Sequence, residues 1–251
     1  METKSHWDER AADPRRDDLS VTHNDIWQRW LEIALIKPLL RPADRVIDVG
    51  CGAGYATRLF APLVGRIVGV DFSEGMIVRA KAALEIDNLS YAVADVRRLS
   101  EAGLGLFDTA LSIRCLINIL DWEQQKLALD EIAAVLRPGG RLILVEGKAE
   151  GRAALNEERQ ANGLDPMPVV THNLDFSEPA LLDHLARHFA LSSKRGFGRY
   201  DYVSRVVHPR LVRPAEPKYD AEINERAARE AVSDNSMEYM SRVIFLVLTR
   251  K

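Results

Sequence analysis

The sequence predicts an α/β protein built on an open, mostly parallel β-sheet with helices on both faces. Short β-branched runs alternate with segments in which apolar residues recur every three or four positions, and glycine-rich turns separate the two. The 251 residues, 47% of them hydrophobic, are sufficient for one substantial core. Strands that alternate with helices pair in parallel, because each helix returns the chain to the same end of the sheet.

The first half of the chain repeats this alternation regularly. Strands are expected at 45–49, 66–71, 89–95, 107–113 and 141–146, and helices at 55–64, 73–84 and 121–136. Ser73 is placed to cap the second of these helices. The segment Arg137-Pro-Gly-Gly140 predicts a break before the fifth strand, because proline and glycine end regular structure.

Beyond Gly147 the pattern is less regular. A helix at 177–189 and strands at 191–198 and 242–249 continue it, but residues 148–176 and 200–238 interrupt it. The first interruption is expected to hold one short helical piece near 153–162. The second is expected to begin as a loop rich in Pro and Arg and to end in a polar helix at about 219–232. Long surface insertions often carry function, so both are predicted to form a cap or lid.

Composition and charge exclude several classes of protein. The formal net charge is only -3, which does not favour nucleic acid as a partner. No apolar run approaches the roughly 20 residues of a membrane helix, and the charged N-terminus lacks the apolar core of a secretory signal. Cys51 and Cys115 are not spaced like zinc ligands, so we expect buried reduced thiols and no metal. A cytoplasmic location is therefore expected.

The turn after the first strand is the first candidate ligand site. Gly50, Gly52 and Gly54 let a ligand approach the backbone at the carboxyl end of the sheet, where such folds bind their ligands. Tyr55 stands where a dinucleotide fingerprint requires glycine, and Asp48 would repel a diphosphate. The turn therefore favours a cationic ligand and disfavours a nicotinamide dehydrogenase.

At these residues the chain resembles class I S-adenosylmethionine-dependent methyltransferases. The first motif of that family is similar to Val46-Ile-Asp-Val-Gly-Cys-Gly-Ala-Gly54, and later motifs resemble Ala94-Asp95-Val96, Phe107–Ile113 and Leu136–Ile143. The resemblance covers about residues 40–147. It implies a Rossmann-like, doubly wound, seven-stranded sheet with its last strand antiparallel, and S-adenosylmethionine as the cofactor.

The resemblance also implies a division of the chain. Residues 1–40 would form a helical segment over the cofactor, residues 41–147 the cofactor-binding core, and residues 148–251 the rest of the sheet with its lid insertions. The N-terminal part of this likeness, around His6-Trp-Asp-Glu-Arg10 and Trp27 to Trp30, is looser than the rest.

The cofactor residues implied by the resemblance lie at the tips of the first four strands. Asp71 would bind the ribose, because a carboxylate can accept two hydrogen bonds from a vicinal diol, and Asp95 with Val96 would contact the adenine. The predicted set is Asp48, Gly50, Cys51, Gly52, Gly54, Asp71, Phe72, Asp95, Val96 and Ser112. Helix capping and tight turns remain the alternative for the acids and glycines, and core packing for Phe72 and Tyr55.

Candidates for the methyl-transfer step lie beyond the strand tips. Transfer from a sulfonium mainly needs alignment and exclusion of water, but a hydroxyl or ammonium acceptor must also lose a proton. Arg114, Glu146, His172 and His208 are the candidates, with His172 as the base. Residues 194–218 hold seven Lys or Arg against two acids, which indicates an anionic acceptor unless this segment faces the acidic helix that follows.

A small-molecule methyltransferase is the favoured reading, with transfer to oxygen or nitrogen left open. The stretch Ser112–Leu116 lacks the Asn/Asp-Pro-Pro-aromatic motif usual in nucleic-acid amino-methylation. A protein or RNA methyltransferase and a non-catalytic S-adenosylmethionine-binding protein remain as alternatives. The insertions leave pairing of two copies across a two-fold axis open.

Overall fold

The computed structural model describes residues 2–22 and 24–251 and contains a seven-stranded sheet. The strands are β1 (Arg45–Val49), β2 (Arg66–Asp71), β3 (Leu89–Val93), β4 (Phe107–Ile113), β5 (Leu136–Gly147), β6 (Phe189–Gly196) and β7 (Val243–Arg250). The helices are α1 (Glu2–Ala12), α2 (Ile26–Ile36), α3 (Tyr55–Phe60), α4 (Glu74–Ala83), α5 (Trp122–Ala134), α6 (Ala149–Ala161), α7 (Glu178–Leu185), α8 (Gly198–Tyr202), α9 (His208–Val212) and α10 (Glu222–Ala231).

The sheet order is β3-β2-β1-β4-β5-β7-β6. Strands β1 to β5 pair in parallel, and β7 lies antiparallel between β5 and β6. This confirms the predicted doubly wound sheet with an antiparallel last strand. The order reverses at β1 and β4, so the turns after these two strands open a crevice at the carboxyl edge.

Both faces of the sheet are buried. Ile47, on one face, packs in a cluster with Leu129 of α5 and Leu181 of α7. Its neighbour Val46, on the other face, packs with Phe60 of α3 and with residues of α2 and α10. Because successive side chains point to opposite faces, this alternation explains why the central strands read as almost continuous apolar runs.

The breaker at Arg137-Pro-Gly-Gly140 does not delay the fifth strand. Leu136 already pairs with Phe107, and the register shifts before Arg141 pairs with Thr109. Gly139 takes a left-handed φ of 74° within this irregular segment. The residues that predicted a break therefore form an irregularity inside β5.

The insertions contain more helix than the sequence indicated. Helix α6 begins at Ala149, directly after β5, although only a short piece near 153–162 was expected. Residues 201–212, expected as part of a loop rich in Pro and Arg, are helical: α8, which begins at Gly198, is followed by a π-helical turn at Val203–Val207 and by α9. The wide π turn directly precedes Pro209, whose missing N–H would interrupt a regular helix.

Two helices precede the sheet. Helix α1 packs against α4, and α2 packs on the sheet with Leu31 and Ile36 fully buried. Across residues 2–22 and 24–251, no helix is long and apolar enough to span a bilayer. The same residues contain no cluster of three or more His, Cys, Asp or Glu side chains suited to a metal ion.

Candidate active site

The turn after β1 exposes backbone to the crevice. Gly50 has a φ of 72°, and its amide donates to the carbonyl of Val70 at 2.8 Å. A Cβ at Gly50 would lie 2.3 Å from Cys115 Sγ, and a Cβ at Gly52 would lie 2.6 Å from Thr22 Cγ2. The space that these glycines leave is therefore too narrow for any side chain at either position.

Asp71, at the tip of β2, is tied to this turn. Its Oδ2 accepts from the Gly52 amide and its Oδ1 from the Ser73 amide, both at 2.9 Å. Burial raises the pKa of Asp71 to about 6, against the lowering effect of these hydrogen bonds. Each oxygen keeps a further acceptor position, so the carboxylate can bind both hydroxyls of a vicinal diol.

Two adjoining cavities lie along the strand tips. We call the first, of about 70 Å³, the glycine-turn cavity; it is lined by Trp7, Thr22, Arg29, Gly50, Gly52, Asp71, Phe72, Met76, Ile113, Arg114, Cys115 and Asn118. The second, of about 720 Å³, is the strand-three cavity; its lining includes Gly50, Phe72, Val93, Asp95, Val96, Cys115, Asn118 and Leu120. The shared residues join the cavities into one elongated site. The predicted residues Gly50, Gly52, Asp71, Phe72, Asp95 and Val96 thus lie together.

Four other predicted cofactor residues do not line these cavities. Asp48 is buried behind the turn, where its Oδ2 accepts from Thr57 Oγ1 at 2.6 Å, and burial raises its pKa to about 6. Gly54 precedes α3 in a left-handed conformation against Tyr91. Burial raises the pKa of Cys51 well above its usual value, and the Ser112 hydroxyl donates to Glu146. Asp48, Cys51 and Gly54 thus shape the turn from behind, whereas Ser112 binds Glu146.

Glu146, nominated for the transfer step, serves the loop after β4. Its Oε1 accepts from Ser112 Oγ at 2.9 Å and from the amides of Cys115 and Leu116 at 3.1 and 2.9 Å. The side chain is fully buried, and burial raises its pKa to about 7. Because Glu146 accepts its hydrogen bonds from the loop after β4, it positions residues 115–117. It lines neither cavity.

Arg29 was missed by the sequence reasoning. It lies on α2, lines the glycine-turn cavity, and pairs with the buried Glu32 at 3.1 Å. Its Nε is buried without a hydrogen-bond partner among the described residues. The available signal was a cation in the largely apolar segment Ile26–Ile36, whose other polar residues are Gln28 and Glu32. Such a residue is costly to bury unless it meets a negative group.

Cys115 and Asn118 were also missed as lining residues. Asn118 Nδ2 donates to the carbonyls of Arg114 and Cys115, at 3.0 and 3.2 Å, which fixes the loop after β4. Both side chains border the glycine-turn and strand-three cavities. Their roles depend on the loop conformation, which short sequence patterns do not specify.

A third cavity, of about 690 Å³, lies beneath the insertions, and we call it the arginine cavity. Its lining includes seven cations: Arg114, Arg152, Arg159, Arg205, Arg213, Lys218 and Arg242. Only two carboxylate residues line it, Asp165 and Glu216, and both are exposed. The cavity is therefore electropositive.

Arg114 lies at the border of two sites. It lines both the glycine-turn cavity and the arginine cavity. Directly after β4 it takes a left-handed φ of 57°, and its amide donates to the carbonyl of Val145 at 2.8 Å. A non-glycine residue in this conformation is uncommon and persists where the surroundings hold it. Arg114 therefore marks the junction between the cavities.

The predicted histidines lie away from this junction. His172 stacks on His6 of α1, with ring centroids 4.6 Å apart, while its neighbours Val170 and Asn173 line the arginine cavity. His208 is buried in α9. Neither histidine lines any of the three cavities. The His172 ring is packed against α1, and its role as the base stays a prediction.

Comparison with known proteins identifies the class. Residues 46–140 match the family model described as a methyltransferase domain. A demethylmenaquinone methyltransferase of Symbiobacterium thermophilum is 33% identical over 133 residues, which cover 48% of this chain and 49% of that protein. A protein-L-isoaspartate O-methyltransferase of Anaeromyxobacter dehalogenans is also 33% identical, over 57% of this chain and 68% of that protein. The chain thus spans about half the length of the first relative.

A solved structure extends the similarity over the whole fold. The N-methyltransferase NodS from Bradyrhizobium japonicum, in complex with S-adenosyl-L-homocysteine, superposes with a TM-score of 0.60 at 15% identity. The alignment covers 100% of this chain and 99% of that chain. At this sequence identity the superposition shows a shared fold and nothing about the acceptor.

The chain belongs to the class I S-adenosylmethionine-dependent methyltransferases. Membership of this family implies S-adenosylmethionine as the cofactor. The site fits this group, because the glycines leave a narrow cradle, Asp71 keeps free acceptor positions for a diol, and Arg29 lines the cavity with an Nε that has no partner among the described residues.

Proposed function

We propose that the chain transfers the methyl group of S-adenosylmethionine to an oxygen or nitrogen of a small anionic acceptor in the arginine cavity. The observation that carries this proposal is the position of Arg114, which lines both this cavity and the glycine-turn cavity. The volume of about 690 Å³ lies within the range of small-molecule sites. Its excess of cations favours a negatively charged ligand.

The cofactor would lie along the strand tips. We place the adenine in the strand-three cavity beside Asp95 and Val96, and the ribose on Asp71. The amino-acid part would then enter the glycine-turn cavity, where Arg29 can bind its carboxylate. Asp48 would act only through its charge, because its side chain is bonded to Thr57 behind the turn.

The N-terminal helices are proposed to cover the cofactor. Trp7 of α1 lines the glycine-turn cavity, and the Ser73 hydroxyl donates to Asp8, which joins α1 to the N-terminus of α4. The stack of His6 on His172 connects α1 to the insertion at 148–176. Closure of these segments would exclude water from the reacting atoms.

A small acceptor is preferred over a macromolecule because the arginine cavity has the volume of a small-molecule site and is lined by both insertions. Relatives of this chain carry names for methylation of a quinone precursor, of proteins and of arsenite. Such variety supports methyl transfer in general but does not indicate the acceptor. We therefore infer the class of acceptor from the lining of the arginine cavity. The formal charge of -3 gives no support to an RNA substrate.

Formation of S-adenosylhomocysteine with anionic and neutral small molecules tests this proposal. We expect turnover with anions, and a higher KM in a variant that combines Arg213→Ser with Lys218→Ser, because both cations line the cavity without a carboxylate partner. Arg187→Ser, an exposed cation at the end of α7, serves as the control. Turnover restricted to neutral compounds, or a KM that the double variant leaves unchanged, would contradict the assignment.

A further inference from the structure

We propose that the methylated group is a carboxylate, which the chain converts into a methyl ester. The inference rests on the proposed function, because it takes the arginine cavity as the acceptor site. Three features carry it: the position of Arg114, the unpaired cations around the cavity, and the types of side chain that reach the junction.

The guanidinium of Arg114 is available for an anion at the junction. It makes no hydrogen bond and no ion pair of its own within the described part of the chain. It acts on the buried Glu146 only electrostatically: its charge lowers the pKa of Glu146, against the larger effect of burial. Its backbone amide, directly after β4, donates to the carbonyl of Val145 in β5. A carboxylate bound by Arg114 would therefore lie beside the glycine-turn cavity, at the point where we place the methyl group.

The remaining cations of the cavity exceed its acids. Three arginines are neutralised in ion pairs: Arg152 with Asp175, Arg205 with Asp25 and Arg242 with Asp201. Arg159 donates only to the backbone carbonyls of Asp165 and Arg205. Arg213 and Lys218 have no carboxylate partner among the described residues. A net positive charge thus remains to bind an anion.

Apart from Asp71, which we assign to the ribose, no described carboxylate or histidine lines the glycine-turn cavity, where the methyl group would lie. His172 and His208 line none of the three cavities, and Glu146 is fully buried with its hydrogen bonds directed to the loop. Asp165 and Glu216 line only the arginine cavity and are exposed. A hydroxyl or ammonium acceptor would need such a base. A carboxylate, with a usual pKa of about 4, is already ionised.

The chemistry then balances without proton transfer. One carboxylate oxygen attacks the methyl carbon in line with the carbon–sulfur bond, an oxygen–carbon bond forms, and the carbon–sulfur bond breaks with its electron pair left on sulfur. The negative charge of the acceptor and the positive charge of the sulfonium disappear together. The neutral ester loses its ion pair with Arg114, which favours release of the product.

The test uses the full chain with S-adenosylmethionine labelled in its methyl group. The probes are benzoate, hexanoate and glutarate, each compared with its primary amide and primary alcohol. We expect label only from the acids, in a product that releases methanol in mild base. Arg114→Gln should lower this turnover about 10- to 100-fold, as loss of a charge-assisted pair predicts, with the affinity for S-adenosylhomocysteine nearly unchanged.

Arg210→Gln is the matched control, because Arg210 is exposed, pairs with Asn162 and lines none of the three cavities. It should behave as the wild type.

One outcome would overturn the carboxylate assignment and leave the proposed function standing: methyl label found on an amide or alcohol probe, in a product that is stable in mild base. If no acid is methylated, the affinities of the acids and of their amides for the S-adenosylhomocysteine complex are compared. Acids that bind this complex no better than their amides would overturn the inference. Failure of the chain to bind S-adenosylhomocysteine would instead remove the proposed function itself.

Discussion

The carboxylate of Asp71 and the amide of Gly52 form a 2.9 Å hydrogen bond that ties the tip of β2 to the turn after β1. The bond gives the buried carboxylate a fixed orientation toward the glycine-turn cavity. It also explains why Asp71 and Gly52 belong to one site, although they are 19 residues apart in the chain.

Replacement of Asp71 tests the ribose assignment. Asp71→Ala should weaken S-adenosylmethionine binding by roughly 2 to 4 kcal/mol, because it removes paired charge-assisted hydrogen bonds. Asp87→Ala, in an exposed loop, should bind normally. Calorimetric titration measures both, and unchanged affinity in Asp71→Ala would show that the ribose lies elsewhere.

The same carboxylate predicts a pH dependence of binding. The pKa of Asp71 is raised to about 6 by burial, and the ionised form is the one that accepts both ribose hydroxyls. Affinity should therefore fall as the pH drops through 6, by about 10-fold between pH 7.5 and pH 5. In Asp71→Asn most of this dependence should disappear. An equal dependence in the variant would assign the titration to another group.

Gly50 can be tested against a glycine with the same backbone strain. Gly50→Ala should abolish cofactor binding or folding, because its Cβ would lie 2.3 Å from Cys115 Sγ. Gly139 has a similar φ of 74° but nothing within 4 Å of an added Cβ. Gly139→Ala should therefore cost only about 1 kcal/mol of stability and leave binding intact. Thermal unfolding and titration of both variants separate strain from steric conflict; equal behaviour would refute the steric explanation.

Arg29 is predicted to bind the carboxylate of the cofactor. Arg29→Ala should lower the affinity for S-adenosylhomocysteine about 10- to 100-fold and leave that for 5′-methylthioadenosine unchanged, since this analogue lacks the amino-acid part. Arg41→Ala, exposed beyond α2, is the control. An equal loss for both nucleosides would mean that Arg29 supports the fold.

His172 is expected to connect the insertion to α1 and to leave the acceptor's proton alone. His172→Ala and His6→Ala should then have similar effects, within about 10-fold on turnover, because each removes one ring of the same stack. Removal of a base typically costs 10²- to 10⁴-fold. A loss of that size in His172→Ala alone, with an ionisation of kcat between pH 5 and 8, would establish His172 as the base.

The sequence predicted the structure best where a local pattern of residues determines an element of the fold. Strand β4 was predicted at its observed bounds, and Asp71 was predicted at its strand tip, because each belongs to a short apolar run that ends at a turn. Arg29 and Cys115 reach the site through packing of distant segments, which local patterns do not reveal. The helical residues 201–212 were missed because a segment rich in Pro and Arg indicates a loop.

A crystal structure of the chain with S-adenosylhomocysteine tests the central claim most directly. We expect the ribose hydroxyls within about 3 Å of the Asp71 carboxylate, and the sulfur facing Arg114 and opening toward the arginine cavity. A sulfur directed away from Arg114, with the arginine cavity closed off from the cofactor, would contradict the assignment of that cavity as the acceptor site.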